Sequence, residues 1–542
     1  MNARSSFLLV LLFSASNHIG HATEISGQLS GLLPLSGSPY QVVGDIWVPP
    51  LYTLTIEPGV ILDFQGYYKF SVKMGALLTA VGIESDSIVF TCDTTLFPES
   101  WVGIRFDTAS STSVMQYCRV ENAMGSGVAL IRCSPLVQYC LIKNNRVGHW
   151  LYGDIGGGIV YLNNSNAVIR DCTISGNSSS FGGGIGAIDS CFLRLEGNVI
   201  IDNGNFHGAG IWVVDCAGAE ITNNLFSQNS GDEPIVEFQD TDNVEIIGNV
   251  FSNNTVPLNG AVFSIHSCTN VTMNDNLITN NLTVIGFYPL IDIRDCVVTM
   301  SGNVLEGNTI YRFGSVRFER CAVNFINNIV ANNRTIGPQD GYGVKNVDGT
   351  ADIINCIVWN NDGPEIDNAG TISVGYSDIQ GGFPGVGNID TDPLFRDTTA
   401  GDFHLMSTAC GDPFDSPCID AGHPLHLDDT LSCQWGLGDS LADMGAYGGG
   451  LRHCIYQTGD VNDDGQANGV DVTYAVNYLK GYGPFPPQEC GNCPASGESL
   501  HGAGDVNGNC QFNGVDVTYY VNYLKGLGPA LAFCPNCPPM VR

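Results

Sequence analysis

The stretch NVFSNN at residues 249–254 decides the fold, because its pattern of Asn, two apolar residues, two further residues and Asn returns along the chain. Neighbouring copies read NLFSQN at 224–229 and NLITNN at 276–281. The copies mostly start 25 to 28 residues apart, and their first positions are Cys118, Cys140, Cys172, Asn198, Asn224, Asn249, Asn276, Asn303, Asn328 and Cys356. A fixed period of this size, built from short apolar runs and not from a helical stripe, is typical of a β-solenoid.

The last Asn of each copy forms a second row, which only the coil of Cys118 lacks: Asn145, Asn177, Asn203, Asn229, Asn254, Asn281, Asn308, Asn333 and Asn361. In a coil repeated in register, equivalent side chains stack about 4.8 Å apart, the distance between strands. Stacked amides donate and accept hydrogen bonds along the row and satisfy polar groups inside the coil. We therefore predict that the Asn rows are buried.

A cysteine row precedes the first Asn row by seven or eight residues, at Cys133, Cys191, Cys216, Cys268, Cys296 and Cys321. We interpret these residues as reduced thiols that stack inside the solenoid as small apolar side chains. Neighbours such as Cys191 and Cys216 remain able to form a disulfide.

The sequence before the repeat shows alternating apolar residues, interrupted by Pro and Gly. It includes GDIWVPPLYTLTIEPGVILDF at 44–64, SIVFT at 87–91 and WVGIRF at 101–106. It resembles the first coils of bacterial secreted right-handed parallel β-helix proteins of the pectate-lyase-like type. The resemblance covers most of residues 40–390 and implies an architecture, not a chemistry. The expected fold class is mainly β, a right-handed parallel β-helix solenoid with a C-terminal cap and a small α-helical domain of calcium loops.

From Tyr376 onward the repeat pattern ends, and the sequence contains the segments YSDIQGG, GNIDTDPLF, SPCIDAG and DMGAYGG. It resembles the tail that often closes such β-helices. Its loop-rich cysteines, Cys410, Cys418 and Cys433, are expected to form disulfides.

The start of the chain predicts export. A basic start, an apolar run from Phe7 to Phe13 and small residues before Thr23 are typical of a signal peptide. No later stretch is long and apolar enough to span a bilayer. We expect a signal peptide at 1–22, the β-helix at 23–390, its cap at 391–450 and a calcium-loop domain at 451–542, in a protein that is secreted or displayed on a bacterial surface.

The net charge of −33, from 54 acidic and 21 basic residues, argues against nucleic acid and anionic membranes as partners.

Two related segments, GDVNDDGQANGVDVTYAVNYLKG at 459–481 and GDVNGNCQFNGVDVTYYVNYLKG at 504–526, follow the tail. Hard oxygen ligands at alternate positions, closed by Asp at position 12, suit Ca²⁺ in a loop of the EF-hand type. The segments resemble type I dockerin repeats. The resemblance implies the ligands Asp460, Asn462, Asp464, Gln466 (backbone), Asn468 and Asp471 in the first loop, and Asp505, Asn507, Asn509, Gln511 (backbone), Asn513 and Asp516 in the second.

The second loop departs from the pattern at Cys510, where a sharp turn favours Gly and the first loop has Gly465. We expect a strained or adjusted turn there. The resemblance also implies a cohesin-like partner, but Gly469 and Val470, like Gly514 and Val515, replace the Ser/Thr pair often found at partner-reading positions. The helices behind the loops carry an apolar face that either packs the copies together or binds a partner.

Each copy ends in a Cys-x-x-Cys, Cys490 with Cys493 and Cys534 with Cys537. Four converging thiolates suit zinc. Export and the additional Cys454 and Cys510 favour disulfides instead.

One outer face of the solenoid is the candidate carbohydrate site. With the cysteine row as the register, residues four and two places earlier point outward. They are Ala187, Trp212, Glu237, Ser264, Asp292 and Arg317, and then Asp189, Val214, Gln239, His266, Arg294 and Glu319. Trp212 is a candidate for stacking on a sugar, and Glu237, His266, Asp292 and Arg294 are weak catalytic candidates. The alternative is that Asp292 with Arg317, and Arg294 with Glu319, are ordinary ion pairs between coils.

Two functions follow. The first is a β-helix that binds extracellular polysaccharide or serves as an adhesion scaffold, docked to a partner by its calcium-dependent module. The second is a polysaccharide lyase or glycoside hydrolase, although the clustered calcium-binding aspartates of β-helix lyases are not recognisable in the sequence.

Overall fold

The short strands of the repeat wind into a right-handed parallel β-helix in the computed structural model, which confirms the predicted fold class. The structure describes residues 22–97, 100–147, 155–258, 260–337, 341–424, 426, 428, 432–433, 436–448, 456–483, 486, 500–532 and 534. Most of the signal peptide, and Cys454, Cys490, Cys493 and Cys537, lie outside these residues.

Each coil contributes one strand to each of three faces, and every strand pairs in parallel with its equivalents in neighbouring coils. The first face contains Lys69–Val72, Gly103–Asp107, Val128–Ile131, Ile159–Leu162, Ile185–Ile188, Ile211–Val214, Val236–Gln239, Phe263–His266, Ile291–Arg294 and Val316–Glu319. The second contains Gly31–Leu33, Thr53–Ile56, Leu77–Val81, Val114–Gln116, Leu136–Gln138, Val168–Arg170, Phe192–Glu196, Gly218–Thr222, Val244–Ile247, Asn270–Asn274, Val297–Ser301 and Ala322–Ile326.

The third face contains Ile61–Phe64, Ile88–Thr91, Cys118–Glu121, Leu141–Lys143, Thr173–Ser175, Val199–Ile201, Leu225–Ser227, Val250–Ser252, Leu277–Thr279, Val304–Glu306, Ile329–Ala331, Ile357–Trp359 and Asp378–Ile379. Four long strands run through two faces each: Thr23–Gln28, Tyr40–Val48, Val344–Ile354 and Ile366–Gly375. A separate seven-stranded sheet follows the third face, with strands Ser178–Phe181, Gly204–His207, Ser230–Gly231, Thr255–Val256, Leu282–Thr283, Thr309–Ile310 and Arg334–Thr335.

The core lies inside the coils, where alternate residues of each strand form stacked apolar rows. Phe226 and Phe251 show the pattern, since their rings stack at 4.6 Å between centroids. The Asn rows are also inside, as predicted: Asn254 is buried and donates its side-chain N–H to Oδ1 of Asn281 at 2.9 Å. The thiols of the cysteine row are buried and unpaired by disulfides, which confirms their interpretation as free cysteines.

The tail after the last coil packs against the outer side of the third face. It contains an antiparallel hairpin, Phe395–Asp397 with Asp402–Leu405, and a 3-10 turn at Thr408–Cys410; a second such turn is Leu35–Gly37. Apolar tail residues, Phe403 and Met444 among them, form one buried cluster with Ile329 and Ile357 of the solenoid. The tail is therefore held to the β-helix by a hydrophobic contact of its own.

The predicted disulfides of the tail are only partly correct. Cys410 and Cys433 are bonded, but Cys418 is a free, buried thiol that donates to a carboxylate oxygen of Asp378 at 3.2 Å. The burial of Cys418 under the tail explains the difference, because it places this thiol beside the solenoid and not beside the other two sulfurs.

Two helices, α1 at Gly469–Leu479 and α2 at Gly514–Leu524, complete the described elements. None of the helices in the described ranges has the length and apolar character needed to cross a membrane.

Candidate functional site

Each calcium loop leads directly into a helix that fixes its last ligand. Asn468 caps α1 by accepting a hydrogen bond from the Val470 N–H, and Asp471 accepts from the Asn468 N–H at 2.8 Å. Asn513 and Asp516 repeat this reciprocal cap at α2. The helix start thus fixes the position of the closing carboxylate of each loop.

The first loop curls around Asp460, which is fully buried. Its two carboxylate oxygens accept the backbone N–H groups of Asp464 and Gly465 at 3.0 and 2.9 Å. Asp471 is also fully buried and accepts the Asn462 N–H at 3.2 Å. The predicted first, third, fifth and twelfth positions therefore lie around one centre.

The second loop has the same geometry around Asp505, which accepts the N–H groups of Asn509 at 3.1 Å and Cys510 at 2.8 Å. Cys510 adopts the left-handed conformation, with φ of +64° against +82° for Gly465. The expected departure at this turn is therefore a non-glycine residue held in a conformation that favours Gly.

A disulfide from Cys510 to Cys534 ties the second loop to the end of the domain. Sequence reasoning considered Cys534 together with Cys537, as a thiolate ligand or a disulfide, and the structure assigns it to Cys510 instead. The pairing joins residues 24 apart, so the local Cys-x-x-Cys motif gave no signal for it.

The residues present fit a divalent cation. Asp460, Asp471, Asp505 and Asp516 are all buried carboxylates, and a buried anion requires a compensating charge. One oxygen of Asp516, Oδ1, is buried without a hydrogen-bond partner among the described residues, and burial raises the pKa of Asp516 to about 6. Both features are expected where a hard cation supplies the missing interaction, so the predicted oxygen set can hold Ca²⁺.

The outer row of the first face aligns Trp212, Glu237, Ser264, Asp292 and Arg317 in successive coils, as predicted. The predicted register fails in one coil. Gly186, not Ala187, aligns with Trp212, and Ile188, not Asp189, aligns with Val214. Ala187 therefore points into the core. The reason is the turn between this strand and Cys191, which contains two residues in the left-handed conformation, Asp189 and Ser190. The equivalent turn before Cys216 contains only one, Asp215.

Asp292 is the centre of the charged part of this face and is fully buried. Arg317 binds both of its oxygens, at 2.8 and 3.0 Å, and Arg294 donates to Oδ2 at 3.0 Å. Burial alone would raise its pKa, but hydrogen bonds from His266 and Arg317 lower the pKa of Asp292 to about 2. Arg294 also lies 3.5 Å from Glu319, so both ion pairs of the alternative interpretation are present.

We expect Asp292→Asn to lower stability by about 2 kcal/mol at pH 7, since a carboxyl group with a pKa of about 2 is stabilised by the fold relative to its usual value near 4. That stability is present above about pH 4 and is lost as the pH falls toward 2. Urea midpoints of wild type and variant should therefore converge as the pH falls from about 4 to about 2. Asp295→Asn, which removes an exposed pair with Arg320, should cost less than about 1 kcal/mol. Equal midpoints for wild type and Asp292→Asn at pH 7 would contradict the prediction.

An aromatic cluster surrounds Trp212 at the other end of the row. The Phe181 ring lies 5.0 Å from Trp212 and stacks on His207 at 5.1 Å. Nδ1 of His207 lies 3.1 Å from a carboxylate oxygen of Glu237, and this hydrogen bond raises the pKa of His207. Phe206 is exposed beside them. We name Phe181, Phe206, His207, Trp212 and Glu237 the aromatic cluster.

Sequence reasoning found Trp212 and Glu237 but missed Phe181, Phe206 and His207. These three residues come from the short strands before the first face, where the number of residues between strands varies from coil to coil. A search for aromatic residues a few positions before each strand of the first face would have found them.

The fold and the paired loops define a β-helix protein with a C-terminal module of tandem calcium loops. Family models identify both parts: "Right handed beta helix region" matches residues 149–235, and "Dockerin type I domain" matches residues 458–525. The chain thus carries a right-handed β-helix and a type I dockerin domain, the architecture that its sequence resembles. Type I dockerin domains bind calcium and imply a cohesin partner.

A search of curated proteins found no match. Among solved structures, the Dettilon tailspike protein (gp208) is similar over 65% of this chain and 61% of its own, at 12% identity and a TM-score of 0.18. A likeness of this size carries no argument about function.

Proposed function

We propose that this protein is an extracellular polysaccharide-binding β-helix, which its dockerin domain attaches to a cohesin-bearing partner in a calcium-dependent manner. The observation that carries the proposal is the aromatic cluster on the outer face of the same chain that ends in a dockerin domain. Dockerin domains are appended to proteins that act in extracellular assemblies, and the sequence-predicted signal peptide is consistent with that location.

The aromatic cluster has the chemistry of a sugar-binding surface. Trp212 and Phe181 offer apolar ring faces for the C–H side of a sugar ring. Glu237 and His207, 3.1 Å apart, offer an acceptor and a donor for hydroxyl groups at the border of those rings. A few well-placed polar groups around aromatic faces are typical of small-molecule recognition.

Binding is favoured over turnover by the state of Asp292. A general acid needs a proton at the working pH, and a carboxyl group with a pKa of about 2 has none. Arg317 and Arg294 also occupy both of its oxygens. Glu237 is the remaining candidate acid of this row, and its carboxylate forms a hydrogen bond with His207 at 3.1 Å.

We expect Trp212→Ala to reduce binding to the preferred glycan by about tenfold or more, because loss of a stacking ring removes roughly 1.4 kcal/mol or more. The measurement is a glycan array with the mature protein, followed by titration of the best glycan. Trp47→Ala is the matched control, since Trp47 lies in the same outer row at the far end of the β-helix.

A reducing-sugar assay on the same glycans separates binding from catalysis. Binding without release of new ends is the expected result. Release that Glu237→Gln abolishes would establish the hydrolase or lyase alternative, and equal losses for Trp212→Ala and Trp47→Ala would rule out the aromatic cluster as the binding site.

A further inference from the structure

The two calcium loops are near copies that differ at their sharp turn. In the first loop Gly465 is exposed, and a side chain added to it would meet no other atom within 4 Å. In the second loop Cys510 occupies the equivalent position, is buried, and is bonded through its sulfur to Cys534. The turn of the first loop is therefore open to solvent, whereas a covalent bond fixes the turn of the second.

The bonded sulfurs lie against the first predicted ligand of the second loop. A carboxylate oxygen of Asp505 lies within 4.8 Å of the Sγ atoms of both Cys510 and Cys534, and all three residues are buried. Oδ2 of Asp505 also accepts the backbone N–H of Cys510 at 2.8 Å. The residue that orients the Asp505 carboxylate is thus itself held by the disulfide.

The segment before Cys534 pairs with the same loop. Ala532 donates its N–H to the Val506 carbonyl at 2.9 Å and forms a parallel bridge with Asn507, the predicted ligand at the third position. The disulfide joins residues 24 apart, and the segment that it closes contains α2 and the predicted ligands Asn513 and Asp516. The bond therefore connects the turn, the closing ligands and the paired segment in one covalent ring.

The backbone of Cys510 makes the turn sensitive to this bond. Its φ of +64° lies in the left-handed region, which is unfavourable for a residue with a side chain and which glycine adopts readily. Without the disulfide, relaxation of the turn would withdraw the Cys510 N–H from Asp505. Closing a ring of this length also removes many conformations from the open chain, so the intact bond favours the ordered loop.

We propose that the Cys510–Cys534 disulfide positions the second calcium loop, so that this loop binds Ca²⁺ tightly in the oxidised chain and weakly in the reduced chain. The first loop, with Gly465 at its turn, does not respond to reduction. This inference rests on the calcium-dependent attachment in the proposed function and adds a condition to it. The dockerin domain reaches its full calcium affinity only in an oxidising compartment, where disulfides form and persist.

The redox step is a thiol–disulfide exchange with a dithiol. A thiolate of dithiothreitol attacks one sulfur and forms a mixed disulfide; its second thiol then closes the oxidised dithiothreitol ring and leaves Cys510 and Cys534 as thiols. Two electrons and two protons pass from the dithiol to the protein. Because the two equilibria are linked, calcium must protect the disulfide by the same factor by which reduction weakens calcium binding.

Calcium titration calorimetry of the full chain, oxidised and after treatment with dithiothreitol, tests the proposal. The second site is identified by its loss in Asp505→Ala. We expect its Kd to rise roughly 10- to 100-fold on reduction, the effect of releasing one ring closure, while the Kd of the first site is unchanged.

The reciprocal effect is measured on the thiols themselves. The full chain is equilibrated in mixtures of reduced and oxidised dithiothreitol, with and without calcium, and the released thiols are alkylated and assigned by peptide mass spectrometry. Calcium should shift the equilibrium of Cys510 with Cys534 toward the disulfide by the same factor as the change in Kd. The disulfide of Cys410 with Cys433, which lies in the tail, should show no calcium dependence.

Variants separate the turn from the bond. Cys534→Ala leaves Cys510 unbonded and should behave as the reduced chain does. Cys510→Gly combined with Cys534→Ala gives the second loop the turn residue of the first, so its second site should bind Ca²⁺ with a Kd that dithiothreitol does not change. Cys410→Ala combined with Cys433→Ala is the matched control and should keep the full response of the second site.

The outcomes separate this inference from the proposed function. An equal Kd of the second site in oxidised and reduced chains, or a response to dithiothreitol that persists in the Cys510→Gly, Cys534→Ala variant, would overturn the inference and leave calcium-dependent attachment intact. Loss of both sites on reduction would also overturn it, since the bond would then hold the whole domain and not one loop. Absence of calcium binding in the oxidised chain would overturn the calcium-dependent attachment as well.

Discussion

Removal of calcium is expected to unfold the dockerin domain and leave the β-helix folded. The described core of the domain is small: one cluster contains Tyr456, Leu500, Ala503, Cys510 and Cys534, and the other buried apolar side chains are Val461, Ala475, Val506 and Tyr520. Four buried carboxylates lie beside it, so loss of the cation leaves uncompensated charge in a domain with little apolar surface to offset it. The solenoid has a far larger apolar core, which runs without a break through its coils, so we expect it to stay folded without the cation.

Limited proteolysis of the full chain measures this effect. With a chelator, residues 451–542 should become protease-sensitive and residues 23–450 should remain intact. At a free calcium concentration of about 100 times the Kd, each site should contribute about 2.7 kcal/mol. A domain that resists protease in the chelator would contradict the calcium-dependent fold.

Calorimetry of calcium binding to the full chain should resolve two sites, with the first loop tighter. Asp460, Asp464 and Asp471 give the first loop three carboxylates, whereas Asn509 replaces the acid at the fifth position of the second. Asp460→Ala should abolish the tighter site and Asp505→Ala the weaker one. Asp463→Asn is the control, because it removes the same charge from a position that is not a predicted ligand. A tighter site that survives Asp460→Ala would show the order to be wrong.

The repeat made most of the solenoid predictable, because equivalent residues of successive coils stack into one row and share the same environment. Asn254 and its equivalents predicted a buried amide row, and the hydrogen bonds between successive amides confirm it. The register failed only where a corner gains a residue, at Asp189 and Ser190. A shift of one residue exchanges the two sides of a strand, so a single extra corner residue moved Ala187 from the predicted outside to the core.

Long-range contacts were not predictable from the pattern. The disulfide between Cys510 and Cys534 and the hydrogen bond between Cys418 and Asp378 join segments without a shared period. His207 and Glu237 are 30 residues apart. Equivalent residues of successive coils in the predicted rows are mostly 25 to 28 residues apart, so the row pattern did not connect the two. The calcium ligands were easier to identify, since all of them lie within a short loop whose spacing encodes the geometry.

Asn254→Leu is expected to destabilise the β-helix by about 3 kcal/mol. Oδ1 of Asn254 accepts both the backbone N–H and the side-chain N–H of Asn229, at 3.0 and 3.1 Å. Its own Nδ2 donates to the Phe226 carbonyl at 3.0 Å and to Asn281 at 2.9 Å. Leu has a similar size but can make none of these bonds, and each buried group left without a partner costs roughly 1 to 3 kcal/mol.

The urea midpoint of the β-helix, followed by far-UV circular dichroism in saturating calcium, measures the loss. Asn324→Leu is the matched control: it makes the same substitution on an exposed strand position of the second face, where no core amide is removed, and should shift the midpoint little. Because the amide row is continuous, Asn229→Leu should cost as much as Asn254→Leu, and the double variant should cost less than the sum, since the two residues share hydrogen bonds. Equal midpoints for Asn254→Leu and Asn324→Leu, or strict additivity in the double variant, would show that the row fills space without stabilising the coil through its amides.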